Sequence, residues 1–251
     1  MKTVFAPAVK LLNRLTYPRK FGLIGLLFAL PLGLITFFLV QELNDRIAFS
    51  AKEKLGTKYL RPVQRFATDV RDHRGLTWAR ADQQDTAEEL RRVEARLQRD
   101  IQDIEAVDRK LGESFKTTLL WIEIKNQWES EKDTAETASP VDPKNRHTAL
   151  VTKLLALMSQ VGDESNLILD PELDSFYLMD LTAKGLPLLI EQIGQVSGFR
   201  AGPEGQETTI RSDHLRQQIL ASTIESQLVT LKHHLDVAFR ETHDPMLSEV
   251  L

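Results

Sequence analysis

Hydrophobic positions along this chain come in two arrangements. Between Phe21 and Val40 they are continuous: FGLIGLLFALPLGLITFFLV contains no charged residue. Beyond Leu43 they recur at three- and four-residue steps, and no stretch shows the period of two that a half-buried strand needs. The continuous run predicts a helix about 30 Å long, matching the hydrocarbon core of a bilayer. Pro31 lies near its centre and predicts a kink rather than a break. The periodic remainder predicts an all-α body.

Leu55, Tyr59, Val63, Phe66 and Val70 extend the apolar helix outward, with a further kink expected at Pro62. The pattern fades at Asp72-His73-Arg74-Gly75-Leu76-Thr77. A second helix is predicted over about 86–111, with the stripe Leu90, Val93, Leu97, Ile101, Ile104, Val107, Leu111 and a Glu/Arg-rich opposite face that includes the i,i+4 pair Glu88–Arg92. A third covers about 114–131, with Phe115, Leu119, Ile122, Trp121 and Trp128. Residues 132–143 are polar, hold two prolines and predict a loop. A fourth helix follows over about 144–161 with Leu150, Leu154, Leu157, Met158 and Val161. A fifth spans about 171–196, bent at Gly185 and Pro187. After a loop at 197–205, a sixth runs over about 207–243 with Ile210, Leu220, Ile224, Leu228, Leu231, Leu235 and Phe239 in near-heptad steps. The predicted fold is all-α: one N-terminal transmembrane helix followed by an antiparallel bundle of long helices.

Charge orients this arrangement. Residues 1–20 hold Lys2, Lys10, Arg14, Arg19 and Lys20 and no acid, so the chain's net −4 conceals an acidic body. The positive-inside rule then places residues 1–20 in the cytoplasm, 21–40 across the inner membrane and 41–251 in the periplasm. The apolar run exceeds that of a cleaved signal peptide, so it reads as an anchor, with the lipid bilayer as its partner. An acidic body does not suit a nucleic-acid binder. The chain has no cysteine, which excludes disulfides, thiolate metal sites and cysteine nucleophiles.

Two stretches carry candidate chemistry. The first is Ser165–Asp180, SNLILDPELDSFYLMD. Asp170 suits a helix cap, Pro171 the first helical position, and Glu172 and Asp174 the positive end of the dipole. The alternating acids imitate a calcium loop, but Ser175 stands where Gly is needed and Leu181 where Glu is needed. A small-molecule pocket near Asn166, Asp170, Tyr177 and Asp180 is the alternative reading, since Tyr177 and Asp180 share a helix face. The second is His73-Arg74-Gly75, where a guanidinium could meet an anion; the competing reading is a solvated charge cluster in a helix. His233-His234 diverge by about 100° on a helix and do not make a metal pair. Trp78, Trp121 and Trp128 read as packing residues. No nucleotide loop, nucleophile elbow or zinc-protease motif is present, so no catalytic residue, metal or cofactor is expected and the chain does not read as an enzyme.

Taken together, KYLRPVQRFATDVRDHRGLT (58–77), HTALVTKLLALMSQVGDESNLILDPELDSFYLMDL (147–181) and Leu186-Pro187 resemble the sensing region of bacterial transmembrane receptors. These are most often methyl-accepting chemotaxis proteins, with related regions in histidine kinases and diguanylate cyclases. The His-Arg-Gly-Leu-Thr segment is similar to the arginine-glycine-leucine-serine signature of nitrate- and nitrite-sensing helical domains, with Thr77 in place of Ser. The resemblance covers roughly residues 20–200. It implies a periplasmic sensor that binds a small anionic or organic ligand, with Arg74 associated with anion recognition, and a homodimeric state. Such receptors continue into a second span, a HAMP-type linker and an output domain, so this chain is expected to be an N-terminal piece, a truncated product or a sensor acting through a partner. The rival expectation is an anchored helical scaffold that binds a protein partner.

Overall fold

The structure, a computed structural model, describes residues 13, 16–81, 85–136, 143–169, 172–199 and 207–242. Among these residues there are helices and turns and no strand. Seven α-helices follow in order: α1 Tyr17–Ala81, α2 Ala87–Phe115, α3 Thr118–Glu136, α4 Pro143–Glu164, α5 Leu173–Asp180, α6 Leu186–Phe199 and α7 Glu207–Glu241. A 3-10 turn, Leu167–Leu169, follows α4, and a π-helical turn, Leu181–Gly185, separates α5 from α6. Two compact units divide the chain, Met1–Ala51 and Lys52–Leu251.

Within the first unit the described part is the N-terminal half of α1. It is the one helix among the described residues long and apolar enough to cross a membrane. Its large side chains are exposed to their surroundings all round, from Phe21 through Phe28 to Val40. A helix apolar on every face, without a partner helix, is suited to lipid rather than water. Thr36 Oγ1 donates to the Leu32 carbonyl at 2.8 Å, which satisfies the segment's hydroxyl internally. The ion pair Arg46–Glu42 follows just beyond the run. α1 is one helix through Pro31 and Pro62.

The second unit is built on one apolar core. Tyr59, Val63, Phe66 and Val70 of α1 lie on one face and are fully buried. They meet Val93, Leu97, Ile101 and Ile104 of α2, Trp121, Ile124 and Trp128 of α3, and Leu150, Leu154, Leu157, Met158 and Val161 of α4. The Phe66 ring meets the edges of both tryptophans, at 5.8 Å from Trp121 and 6.2 Å from Trp128, a favoured quadrupole geometry. Outside the core, α1 and α2 are laced by charge: Arg65 bonds Asp100 and Asp103, and Arg96 bonds Asp69 and Asp72.

The α2–α3 corner is pinned from inside. Asp108 accepts from the Tyr59 hydroxyl at 2.6 Å and from Thr117 Oγ1 at 2.8 Å. Burial, reinforced by Asp108, pushes the Tyr59 phenol far above its ordinary range, so it stays a donor. Lys116 takes the left-handed conformation after α2, with φ 54°, and its N–H and that of Thr117 return to Glu113 and Gly112. A Cβ on Gly112 would strike Asp108 and Thr118.

Several sequence expectations are corrected. Phe115 closes α2 instead of opening α3. On α3, Leu119 and Ile122 are 84% and 47% exposed, and the buried stripe is Trp121, Ile124, Trp128; both tryptophans pack on Phe66 of α1, which fixes the rotation of the helix. α2 ends four residues later than expected, and α3 runs to Glu136, into the expected loop. The expected fifth helix is two helices joined by the π-turn. Pro187 has no N–H to give Ala183, and the Leu186 N–H returns five residues to the Leu181 carbonyl. α6 continues to Phe199, where a loop was expected. Of the near-heptad series on α7, Leu231 is buried and Leu228 is exposed. That helix packs on α5, the π-turn and α6, where Leu181, Leu189 and Leu231 form a second, small core with Ile224 and Leu235.

Candidate functional site

The pattern of α1 fades at Asp72 because polar side chains enter the protein there. Arg74 and His73 are 2% and 4% exposed, so the cluster is buried and not a solvated face. Arg74 grips Glu191 of α6 through two bonds, Nη1 to Oε1 at 2.7 Å and Nη2 to Oε2 at 3.0 Å. That planar fork is the geometry for which guanidinium and carboxylate are matched. Gly194, one turn further along α6, leaves room for it: a Cβ there would lie 2.7 Å from Arg74 Nη2. Gln195 Nε2 also donates to Glu191 Oε1, at 2.9 Å.

A second guanidinium shares this carboxylate. Arg71 Nε lies 3.6 Å from Glu191 Oε2, its side chain is 10% exposed, and Nε is buried without a hydrogen bond. Nη2 donates to the Pro187 carbonyl at 3.2 Å. Burial lowers the Arg71 pKa and neighbouring Arg74 lowers it further, with Glu191 opposing both.

Arg71 also lines a crevice of about 270 Å³ between α1, α4, the π-turn and α6. Its other lining residues are Gln64, Thr68, Met158, Thr182, Leu186, Pro187 and Ile190. Gln64, Thr68 and Arg71 fall on one face of α1 through their i, i+4, i+7 spacing. Gln64 Nε2 donates to the Thr182 carbonyl at 3.0 Å and ties α1 to the π-turn.

Beside this junction His73, His147 and Glu131 are buried in a row, with half-exposed Glu94 at its end. His73 Nδ1 and His147 Nε2 are 3.1 Å apart, with the rings stacked and the edge of Trp128 against His73. Glu94 of α2 stands 3.7 Å from His73 Nε2, and Glu131 of α3 stands 3.9 Å from His147 Nδ1. Burial lowers the His73 pKa, partly offset by Glu94.

The candidate residues from the sequence do not form one site. Arg74 and His73 belong to the junction just described. Asn166 adopts φ 66° after α4 and accepts from Lys52 Nζ at 3.4 Å, the left-handed helix stop that Asn tolerates. Lys52 and Arg74 are roughly 33 Å apart along α1, so Asn166 serves another layer. Tyr177 and Asp180 meet α7: the His234 ring lies 4.8 Å from that of Tyr177, and its Nδ1 is 3.3 Å from Asp180 Oδ2. Asp170 and Pro171 lie outside the described residues, as does the side chain of Trp78.

Sequence reasoning missed Arg71, Glu191 and Gly194. One signal was available: Glu191 is the lone charge in 185–199, GLPLLIEQIGQVSGF, and a buried carboxylate requires a partner.

Comparison of the chain with models of protein families, with curated proteins and with solved structures returned no match in any of the three.

Proposed function

We propose that the chain is the membrane-anchored, extracytoplasmic sensing module of a bacterial signal-transduction receptor of the chemotaxis-receptor type. It is not an enzyme. The observation that carries this reading is α1: one helix holds the uncharged run of residues 21–40 and, further along, the core face Tyr59–Val70 and the buried Arg71 and Arg74. A ligand contact at those arginines bears on the same helix that enters the membrane. The body is an antiparallel bundle in the periplasm, and residues 1–20 lie in the cytoplasm.

A small ligand binds in the crevice beside Arg71. It shifts α6, and α7 packed on it, relative to α1. A π-turn is a local departure from α geometry that a change of register can relieve, and packed helices switch between discrete arrangements. The module works as a homodimer, with Leu215, Ile219 and Val229 of α7 turned outward for a second copy.

The absence of cysteine gives a direct test of topology. Ser114→Cys places a single thiol on an exposed position of the body, and Thr3→Cys places one before the apolar run. In intact inner-membrane spheroplasts, a membrane-impermeant maleimide is expected to label the first and spare the second. Labelling of Thr3→Cys alone overturns the orientation, and recovery of the chain in the soluble fraction overturns the anchor.

A further inference from the structure

We infer that the crevice beside Arg71 is a binding site for a short-chain aliphatic monocarboxylate. The inference rests on reading this crevice as the sensor's ligand site, and it names the chemistry of the ligand.

The charged group in the crevice lining is a cation, Arg71. Glu191 gives both oxygens to Arg74 and one of them also to Gln195, so Arg71 receives only the long 3.6 Å approach. Among the described residues, Nη1 of Arg71 has no hydrogen-bond partner, and its Nε–H is buried without one. A buried guanidinium with unused donors is costly and is relieved by an acceptor that carries charge. Gln64 Nε2 has a second N–H after bonding Thr182. The hydroxyls of Thr68 and Thr182 already donate to their own helices, at the Gln64 and Leu178 carbonyls. No Asp or Glu lines the crevice. The two hydroxyls have no hydrogen left for a ligand, and it is the guanidinium of Arg71 with the second N–H of Gln64 that suits the two oxygens of a carboxylate.

The remaining walls are apolar: Met158, Leu186, Pro187 and Ile190. They ask for a hydrocarbon body, which an inorganic anion lacks. A volume of about 270 Å³ lies just below the range of about 300–1,000 Å³ usual for drug-sized ligands, so it admits a small aliphatic carboxylate with room to spare. The contrast with a larger cleft supports the choice. That cleft, about 710 Å³ between α1 and α2, is lined by Arg61, Arg65, Arg96 and Arg99 but also by Asp69, Asp100 and Asp103. Its Arg65 and Arg96 are already bonded to these acids, which would also repel a ligand carboxylate.

The test uses the full chain in lipid nanodiscs. Propanoate and butanoate are titrated by calorimetry, with propanamide as the neutral isostere and nitrate as the anion without an apolar body. The expected order is butanoate and propanoate bound, propanamide not bound, and nitrate at least tenfold weaker. Arg71→Gln is expected to weaken butanoate at least tenfold, and Ile190→Trp, at a half-exposed wall position, to block it with the thermal midpoint kept. Equal binding of propanamide overturns the charge argument without any variant, and nitrate binding as tight as butanoate overturns the aliphatic class. If Arg71→Gln does not fold, Arg71→Lys keeps the charge but loses the fork, and undiminished butanoate affinity in that variant overturns the role of Arg71.

The sensor reading is scored separately, by spin labels at Val229→Cys on α7 and Lys58→Cys on α1. Carboxylate binding with no change in the label distance sinks the sensor reading and leaves the site. A distance change with another ligand, and no carboxylate binding, sinks the site and leaves the sensor.

Discussion

Arg74 shows how far one residue's context alters its meaning. In the sequence it is a cation beside a glycine, which by itself favours a solvated helix face over an anion contact. In the fold its guanidinium is bound on two sides by Glu191. Removing one member of a buried ion pair leaves the other charge uncompensated, typically at a cost of about 3–5 kcal/mol. Glu191→Ala and Arg74→Ala are therefore expected to lower stability by about that much in urea unfolding, and the double variant by less than the sum. Additive losses would mean that the two groups are not coupled.

His73 makes a pH prediction. Its folded pKa is lowered, chiefly by burial, below an ordinary value of about 6.5. Glu94 faces it from α2, Lys132 from α3 and His147 from α4, with Glu131 beyond His147. Between the folded pKa and about 6.5 the unfolded chain binds more protons, so stability rises with pH there. The contribution is complete above about pH 6.5 and lost as pH falls below it. The unfolding midpoint is expected to drop between pH 7.5 and 5.5, and His73→Gln to flatten that drop. An identical slope in the variant would remove His73 as its source.

At the scale of elements, α3 is the instructive case. The spacing of its apolar residues allows two faces, one through Leu119 and Ile122, the other through Trp121, Ile124 and Trp128. Periodicity locates a helix but cannot choose between stripes of similar hydrophobicity; the volume that α1 and α4 leave open makes that choice. Trp121→Ala is expected to cost about 3–5 kcal/mol, whereas Leu119→Ser should stay within about 0.5 kcal/mol. Denaturation of both variants distinguishes the faces, and the reverse ranking would contradict the packing. Gly56 makes a second element-scale prediction. A Cβ there would strike the side chain of buried Ser165, so Gly56→Ala is expected to lose about 1–3 kcal/mol by overpacking. A gain from the better helix former would mean that α1 and the end of α4 do not approach so closely.

For the whole molecule, α1 changes character along its length. Residues 21–40 have no buried face, while Tyr59–Val70 have a fully buried one. The exposed stripe of α7 belongs to this scale because its partner is a second copy under the proposed function. Oxidation of Val229→Cys in membranes is expected to give a disulfide-linked dimer, and a thiol that remains monomeric at all oxidant levels would remove that interface.

The sequence alone determined the helical class, the apolar N-terminal helix and the stripes of α2 and α4. Each of these is a local property, set by the period of apolar residues within one helix. It left the Arg74 and Glu191 pairing, the face of α3, the π-turn before Pro187 and the crevice at Arg71 undecided. Those depend on which residues from distant segments meet. Residues 71 and 191 are joined by no periodicity, and only the packing of α6 against α1 puts a carboxylate and a cavity beside the same guanidinium.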